Sequence, residues 1–267
     1  WMWWSQRIGG YNALDYLVKV RGFSFVEAVE TLMGKAAVMP TLTVKPKQSE
    51  KPKILLLPDK SKTTDKIREY LFRRGIDGMI ADECIKKGVI FESLPYHNIV
   101  FVGFDENKKP KYAAFRATNS RRILGDCSGS DKHYSFRLAD SESNEVHLFE
   151  CAIDLLSYAT LSKLSGKDWR KENLVSLAGV YLPKEKIEDS TTPAAVIKYL
   201  TDRPDIQKIH IHFDNDNAGR KATQALKVIL PKRYEIFDEP PKKGKDYNDY
   251  LCIQLGIWKS KERNFER

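Results

Sequence analysis

One pattern constrains the fold of this chain more than any other. From about residue 145 onward, short apolar runs alternate with longer stretches that carry an apolar stripe at helical spacing. Residues 146–149, 174–179, 208–213 and 234–237 read as strands. Residues 152–164, 192–200, 218–230 and 249–255 read as the intervening helices, with Pro193 at a first helical position, where a missing N–H costs nothing, and Pro231 as a stop. Strands alternating with helices predict a mostly parallel α/β sheet with right-handed crossovers and helices on its faces.

The region ahead of this alternation reads differently. Residues 12–20 form a helix stopped by Gly22, and Ser24 with Glu27 makes a capping box for a second helix that runs to Met33 and Gly34. Residues 40–53 are charged, proline-punctuated and without periodicity, which is the composition of a linker. Beyond it, helices are expected over 64–73 and 81–87, then a β-hairpin from strands 98–104 and 110–116. Arg116, Arg121, Arg122, Lys132 and Arg137 follow, interleaved with Phe115, Tyr134 and Phe136. Basic residues among aromatics suit a groove for a phosphate backbone with a stacking surface, and a solvated strand face accounts for the same residues. The expected division is 1–39, a linker at 40–53, an α+β segment at 54–142, and the α/β domain at 143–267.

A length of 267 residues fits about two domains. No apolar run approaches the roughly 20 residues of a membrane span, so no membrane partner is expected. The first residues, Trp1-Met2-Trp3-Trp4, have neither a basic region nor a long apolar core, so no secretory signal is expected; without Met at position 1 the chain reads as a fragment. Cys84, Cys127, Cys151 and Cys252 are far apart, which suggests a reducing, cytoplasmic compartment and no paired-cysteine zinc site. His210 and His212 alternate along a strand with no third ligand beside them in sequence. The net charge of +9 attracts polyanions, though charge alone leaves nucleic acid and simple solubility equally open.

Acidic residues stand where strands end, the place where open parallel sheets form their sites. Glu150 follows the first strand, Asp214-Asn215-Asp216 the third, and Lys245-Asp246-Tyr247-Asn248-Asp249 lies in the loop after the fourth. Asp214 and Asp216, two apart on extended backbone, point the same way, and two such carboxylates repel each other unless a cation lies between them. Hard oxygen ligands suit Mg²⁺ or Mn²⁺. Gly219 permits a close backbone approach, and the helix it opens adds a positive end for phosphate. Glu150 faces the pair as a general base for a hydroxyl, and Asp154, four residues on, turns to the same cavity. An isolated Asp-x-Asp is commonly a helix N-cap; the conjunction of these elements favours a metal site.

This order of motifs resembles the TOPRIM domain of bacterial-type primases, topoisomerases and some nucleases, over about residues 143–255. Phe149-Glu150-Cys151-Ala152-Ile153-Asp154 resembles its Glu-Gly-x-x-Asp element, with Cys151 in place of glycine and a tighter turn to accommodate. Leu177-Ala178-Gly179-Val180 resembles the small-residue strand end that follows. Asp214-Asn215-Asp216-Asn217-Ala218-Gly219-Arg220 resembles the Asp-x-Asp-x-Ala-Gly segment, and Lys245-Asp246-Tyr247-Asn248-Asp249 the primase Lys-Asp-Pro-Asp-Glu loop, with Asn248 replacing an acid and weakening one metal. Residues 9–17 and 23–32 look like the tail of the primase zinc-binding domain, with Trp1–Gln6 where its cysteines stand, so no zinc is expected. Residues 98–116 and 129–137 are similar to the segment preceding TOPRIM in primase-like proteins of plasmids and conjugative elements.

The resemblance implies a Rossmann-like sheet and a primase-like, Mg²⁺- or Mn²⁺-dependent nucleotidyltransferase acting on single-stranded DNA and nucleotides in a bacterial mobile element, beside a helicase or relaxase. It assigns catalysis to Glu150 and Asp154, metal to Asp214, Asp216 and Asp246, and nucleic-acid or nucleotide contacts to Arg116, Arg122, Lys132, Arg220 and Lys245. A metal-dependent nuclease and a non-catalytic DNA-binding module are the alternatives.

Overall fold

The computed structural model describes residues 2–3, 8–10, 12–23, 25–33, 54–139, 141–179 and 181–257. Contacts divide the chain into two units, Trp1–Lys51 and Pro52–Arg267. The expected linker at 40–53, and the cap at Ser24, fall outside the described residues.

In the first unit, β1 (Met2–Trp3) and β2 (Ile8–Gly9) form an antiparallel ribbon, followed by α1 (Ala13–Lys19) and α2 (Phe25–Met33). Asn12 caps α1 by accepting the Asp15 N–H at 2.8 Å. Gly22, at φ +69°, takes the left-handed turn between the helices, as its position in the sequence predicts.

The second unit opens with α3 (Asp65–Arg73) and α4 (Gly78–Lys86). The first N–H groups of α3 are capped from a distance: Glu92, 1% exposed, accepts from Lys66 and Ile67 at 3.0 and 3.2 Å. Helix α4 starts three residues ahead of the expected position because Asp77 accepts the Met79 and Ile80 N–H groups and fixes an earlier cap. Then β3 (Ile90–Glu92), β4 (Ile99–Phe104), β5 (Pro110–Arg116) and β6 (Leu124–Asp126) pair in order as an antiparallel sheet, with the expected hairpin at its centre.

The second sheet begins with β7 (Arg137–Leu138) and continues with β8 (Glu145–Phe149), α5 (Ala152–Leu164), β9 (Asn173–Ser176), α6 (Ala194–Asp202), β10 (Lys208–Ile211), α7 (Asn217–Ile229), β11 (Glu235–Asp238) and α8 (Tyr247–Gln254). The strand order is β11-β10-β8-β9-β7. The first four of these are mutually parallel, and β7 closes the edge antiparallel to β9. Pro193 is the N-cap of α6 rather than its first helical residue.

Alternation along the strands splits the core in two. Val146, Leu148, Ile209 and Ile211 face α6 and α7. On the other side, Phe149 joins Leu155 and Leu156 of α5, Leu251 of α8, and Ile67, Leu71, Ile80 and Phe101 from the segment before residue 142. The boundary at 142/143 therefore separates segments that share one core. No helix among the described residues is long and apolar enough to cross a membrane.

Candidate functional site

The three parallel strands that matter end side by side, and the loops beyond them carry the acids. Glu150 follows β8 directly and is 6% exposed. The β10 ladder stops at Ile211, so Asp214 and Asp216 lie in the loop before α7, not at the strand end as their spacing predicts. They nevertheless converge. Lys245 Nζ lies 3.4 Å from Asp214 Oδ2 and 3.1 Å from Asp216 Oδ2, an ammonium in the position where the sequence calls for a cation. The Asp214 N–H donates to Glu150 Oε1 at 3.1 Å, and the Asn215 N–H donates to the Lys245 carbonyl at 2.7 Å. The loops after β8, β10 and β11 are thereby tied into one constellation.

Gly219 makes this possible. A Cβ at that position would sit 2.2 Å from the Asp214 carbonyl oxygen and 2.9 Å from Glu150 Oε1, inside contact distance for both. Asp216 doubles as the N-cap of α7, accepting the Gly219 N–H at 2.9 Å. Asp246 caps α8 in the same way, accepting the Asp249 N–H at 2.6 Å. The capping and metal readings of these acids are therefore compatible, since each cap uses one oxygen.

Asp154 is buried in the first turn of α5. Its carboxylate accepts from the Cys151 thiol at 2.9 Å and from the Asn248 N–H at 3.4 Å. Cys151 is the α5 N-cap residue at φ −139°, ψ 166°, extended backbone that any residue adopts, so no glycine is needed there. The Asn248 side chain is buried, donates to the Arg74 carbonyl and Ser157 hydroxyl, and accepts from Arg74.

Electrostatics follow the crowding. Burial, then the neighbouring Asp214 charge, pushes Glu150 up to about 7. Burial and the Asp246 charge push Asp154 and Asp214 up as well. Asp216 goes the other way, held down by the Gly219 N–H and then by Lys245. The raised groups bind protons more tightly folded than unfolded, so without metal they cost stability as pH rises between the ordinary 4.5 of Glu150 and about 7. A bound dication relieves that cost only once the carboxyls are ionised. The rise in Tm produced by Mg²⁺ is therefore expected to be larger at about pH 8 than at about pH 5. Glu150→Gln is expected to shrink the difference; calorimetry at the two pH values checks this.

The basic residues divide. Arg116 and Arg122 line a cavity of about 1130 Å³ together with Arg73, Arg74, Arg121 and Tyr70. Arg74 links this cavity to the acids through Asn248. Lys132 lies apart from the lining, bonded to the Ala178 carbonyl at 3.1 Å and paired with Asp126 at 3.3 Å. Arg220 is committed to the fold, donating to the carbonyls of Phe213 and Asp214 and to Asp238. Arg73 and Arg74 escaped the sequence reading because they stand at the end of a helix about 40 residues before Arg116, with which they line the cavity; the aromatics Tyr70 and Phe72 just ahead of them are a signal of the kind read after residue 110.

Residues 147–251 match the Toprim-like family, and residues 69–142 match a family described only as a protein of unknown function, DUF3991. An uncharacterized Bacillus anthracis protein, pXO2-78, is 27% identical over 197 residues, 65% of this chain. The chain spans about half of that relative, 49% of its length. Similar solved structures include the primase fragment of the bacteriophage T7 primase-helicase protein, at 20% identity over 70% of this chain and 69% of that one, TM-score 0.46. The E. coli primase catalytic core is 14% identical over 73% and 70%, TM-score 0.48. The RNA polymerase domain of Mycobacterium tuberculosis primase is 14% identical over 74% of both chains, TM-score 0.48. With this strand order and the carboxylates in their three loops, residues 147–251 are similar to the Toprim-like family.

Proposed function

We propose that this chain is a primase-type nucleotidyltransferase that uses Mg²⁺ or Mn²⁺ to copy single-stranded DNA in the replication or transfer of a bacterial mobile element, beside a helicase or relaxase. The observation that carries the reading is that Asp214 and Asp216 share one cation in Lys245 while Glu150 is tied to the same loop through the Asp214 N–H. The donor set fits the metal: every ligand offered is a carboxylate oxygen, and Asp214 and Asp216 already share a cation in Lys245. Asp214, Asp216 and Asp246 would hold it, and when bound it supplies charge neutralisation to phosphate oxygens.

The chain's own groups do the rest. Glu150 spends Oε1 on the Asp214 N–H, which leaves Oε2 to take the proton of an attacking 3′-hydroxyl. Without metal, burial and the Asp214 charge raise this carboxyl to about 7; a dication held beside it favours the ionised form that accepts a proton. Lys245, displaced from the acids, is positioned to pair with a phosphate. Arg116, Arg122 and the other cavity arginines hold the template backbone.

Template binding separates these arginines from Lys132. Arg116→Ala and Arg122→Ala are each expected to flatten the salt dependence of single-stranded DNA affinity, by about 0.7 in the log–log slope for each phosphate no longer neutralised. Lys132→Ala is expected to leave the slope unchanged. Fluorescence anisotropy of a labelled oligonucleotide across a salt series reads both, and equal effects at Lys132 and Arg116 would contradict the cleft assignment.

The activity itself is tested with circular single-stranded DNA, ribonucleotides and Mg²⁺. Short RNA made by the chain supports the proposal. Template cleavage without synthesis would replace it with the nuclease reading, and binding without either reaction would leave a DNA-binding module.

A further inference from the structure

Three histidines that take no part in the acidic centre meet on the α5 side of the parallel sheet. His147 of β8 lies opposite His210 of β10 in the parallel register, and His212 follows two residues on. Because Val146, Leu148, Ile209 and Ile211 face α6 and α7, the alternation turns all three imidazoles the other way. The rings are nearly parallel: His147 is 4.4 Å from His210 and 5.1 Å from His212 between centroids. Phe237 and Phe149 continue the stack at either end.

The hydrogen bonds around His212 leave its Nε2 lone pair facing a carboxylate. Its side chain is 1% exposed. Its Nδ1 lies 2.8 Å from the Tyr247 hydroxyl and 3.2 Å from the Glu239 carbonyl, and that hydroxyl donates to the same carbonyl at 2.9 Å. Both neighbours are thus acceptors toward the ring, so Nδ1 carries the proton. Nε2 is then a bare acceptor, 2.8 Å from His147 Nδ1 and 3.5 Å from Glu239 Oε2. A proton on His147 Nδ1 satisfies one of these contacts, while the contact between the Nε2 lone pair and the carboxylate stays repulsive. Glu145, on the other flank of the stack, is neutralised by Lys208 at 2.8 Å. Glu239 has only imidazoles around its carboxylate among the described ion pairs, at 3.2 and 3.5 Å.

We propose that His147 Nδ1, His212 Nε2 and the Glu239 carboxylate form a second metal centre for a borderline transition-metal dication such as Zn²⁺ or Co²⁺. The three donor atoms lie within 4.8 Å of one another. Two imidazole nitrogens and one carboxylate oxygen are a zinc-type donor set, unlike the all-oxygen acidic centre. The bond from His212 Nδ1 to Tyr247 and Glu239 is the outer support that fixes a ligating ring. His147 binds as its Nε2–H tautomer, and the two nitrogens, now 2.8 Å apart, open by about half an ångström to the spacing of tetrahedral zinc. Such an ion rivets β8, β10 and the chain after β11. Through Tyr247 it braces the residue next to Asp246. The sequence points away from zinc because it carries no paired cysteines; a ligand set drawn from three separate segments leaves no local spacing to read.

Co²⁺ and Zn²⁺ titrations of the full chain, in excess Mg²⁺ to fill the acidic centre, test this. The expected result is a Co²⁺ complex with the visible bands of tetrahedral nitrogen ligation, displaced by Zn²⁺, and a rise in Tm with Zn²⁺. Glu239→Gln, on a side chain 44% exposed, is expected to melt like the parent without metal, to bind at least about tenfold more weakly, and to lose the Zn²⁺-dependent rise. Asp214→Asn/Asp216→Asn is expected to bind Co²⁺ as the parent does. No Zn²⁺ binding by the parent, equal binding by Glu239→Gln, or binding that disappears with Asp214 and Asp216 would each overturn the proposal and leave the histidines as a packing stack.

Discussion

Replacing Asp214 and Asp216 together by Asn is expected to lower Mg²⁺-dependent RNA synthesis by at least about a hundredfold, with the fold retained. Asn is the informative substitution. Its side-chain oxygen at position 216 would still accept the Gly219 N–H, as Asp216 does at 2.9 Å, so α7 keeps its cap. Asp214 joins the loop network through its backbone, donating to Glu150 and accepting from Arg220, and those bonds do not depend on its carboxylate. What disappears is the pair of negative charges that now flank Lys245. Relief of crowding around the half-buried Asp214 offsets the missing ion pairs, so Tm is expected to move by no more than a few degrees. Initial rates and a melting curve on the same preparation separate loss of chemistry from loss of fold.

Gly219→Ala is expected to damage both stability and activity. The added Cβ would lie 2.2 Å from the Asp214 carbonyl oxygen, which is backbone and already holds Arg220 Nε at 3.2 Å. It would also lie 2.9 Å from Glu150 Oε1, which holds the Asp214 N–H. Neither atom can retreat without breaking the connection between the β8 and β10 loops. Overpacking of this kind costs about 1–3 kcal/mol, which for a chain of this size is a drop in Tm of roughly 2–12 °C. The displaced carboxylates should reduce activity by up to about a hundredfold, the effect of misplacing catalytic groups by an ångström. Gly78→Ala, at the first residue of α4 with nothing within 4 Å of the new Cβ, is the control and is expected to be neutral.

The helices were legible where caps and periodicity are local. The predicted and observed bounds of α5 coincide at Ala152–Leu164, because an apolar stripe begins immediately after an extended residue and ends at a polar turn. The start of α4 was missed because the bonds that set it, from the Met79 and Ile80 N–H groups to Asp77, are seen only in the fold. Strand β7 was invisible: two residues carry no period, and only pairing with β9 makes them a strand. In the site, Glu150, Asp214 and Asp216 were legible because chain order places each beyond a strand of one sheet. The commitment of Arg220 to carbonyls and of Asn248 to Arg74 was not, since a side chain's partners across as many as 174 residues leave no mark in spacing. The histidine stack shows the same limit, with His147 joined to His212 across 65 residues.

In the proposed function, the loops after β8 and β10 build one divalent-cation site. Mn²⁺ binding to the full chain, followed by electron paramagnetic resonance, tests it most directly, because Mn²⁺ prefers the oxygen ligands this centre offers. The expected result is a bound Mn²⁺ that Mg²⁺ displaces and that Asp214→Asn/Asp216→Asn no longer holds. Equal Mn²⁺ binding by the parent and that variant would contradict it.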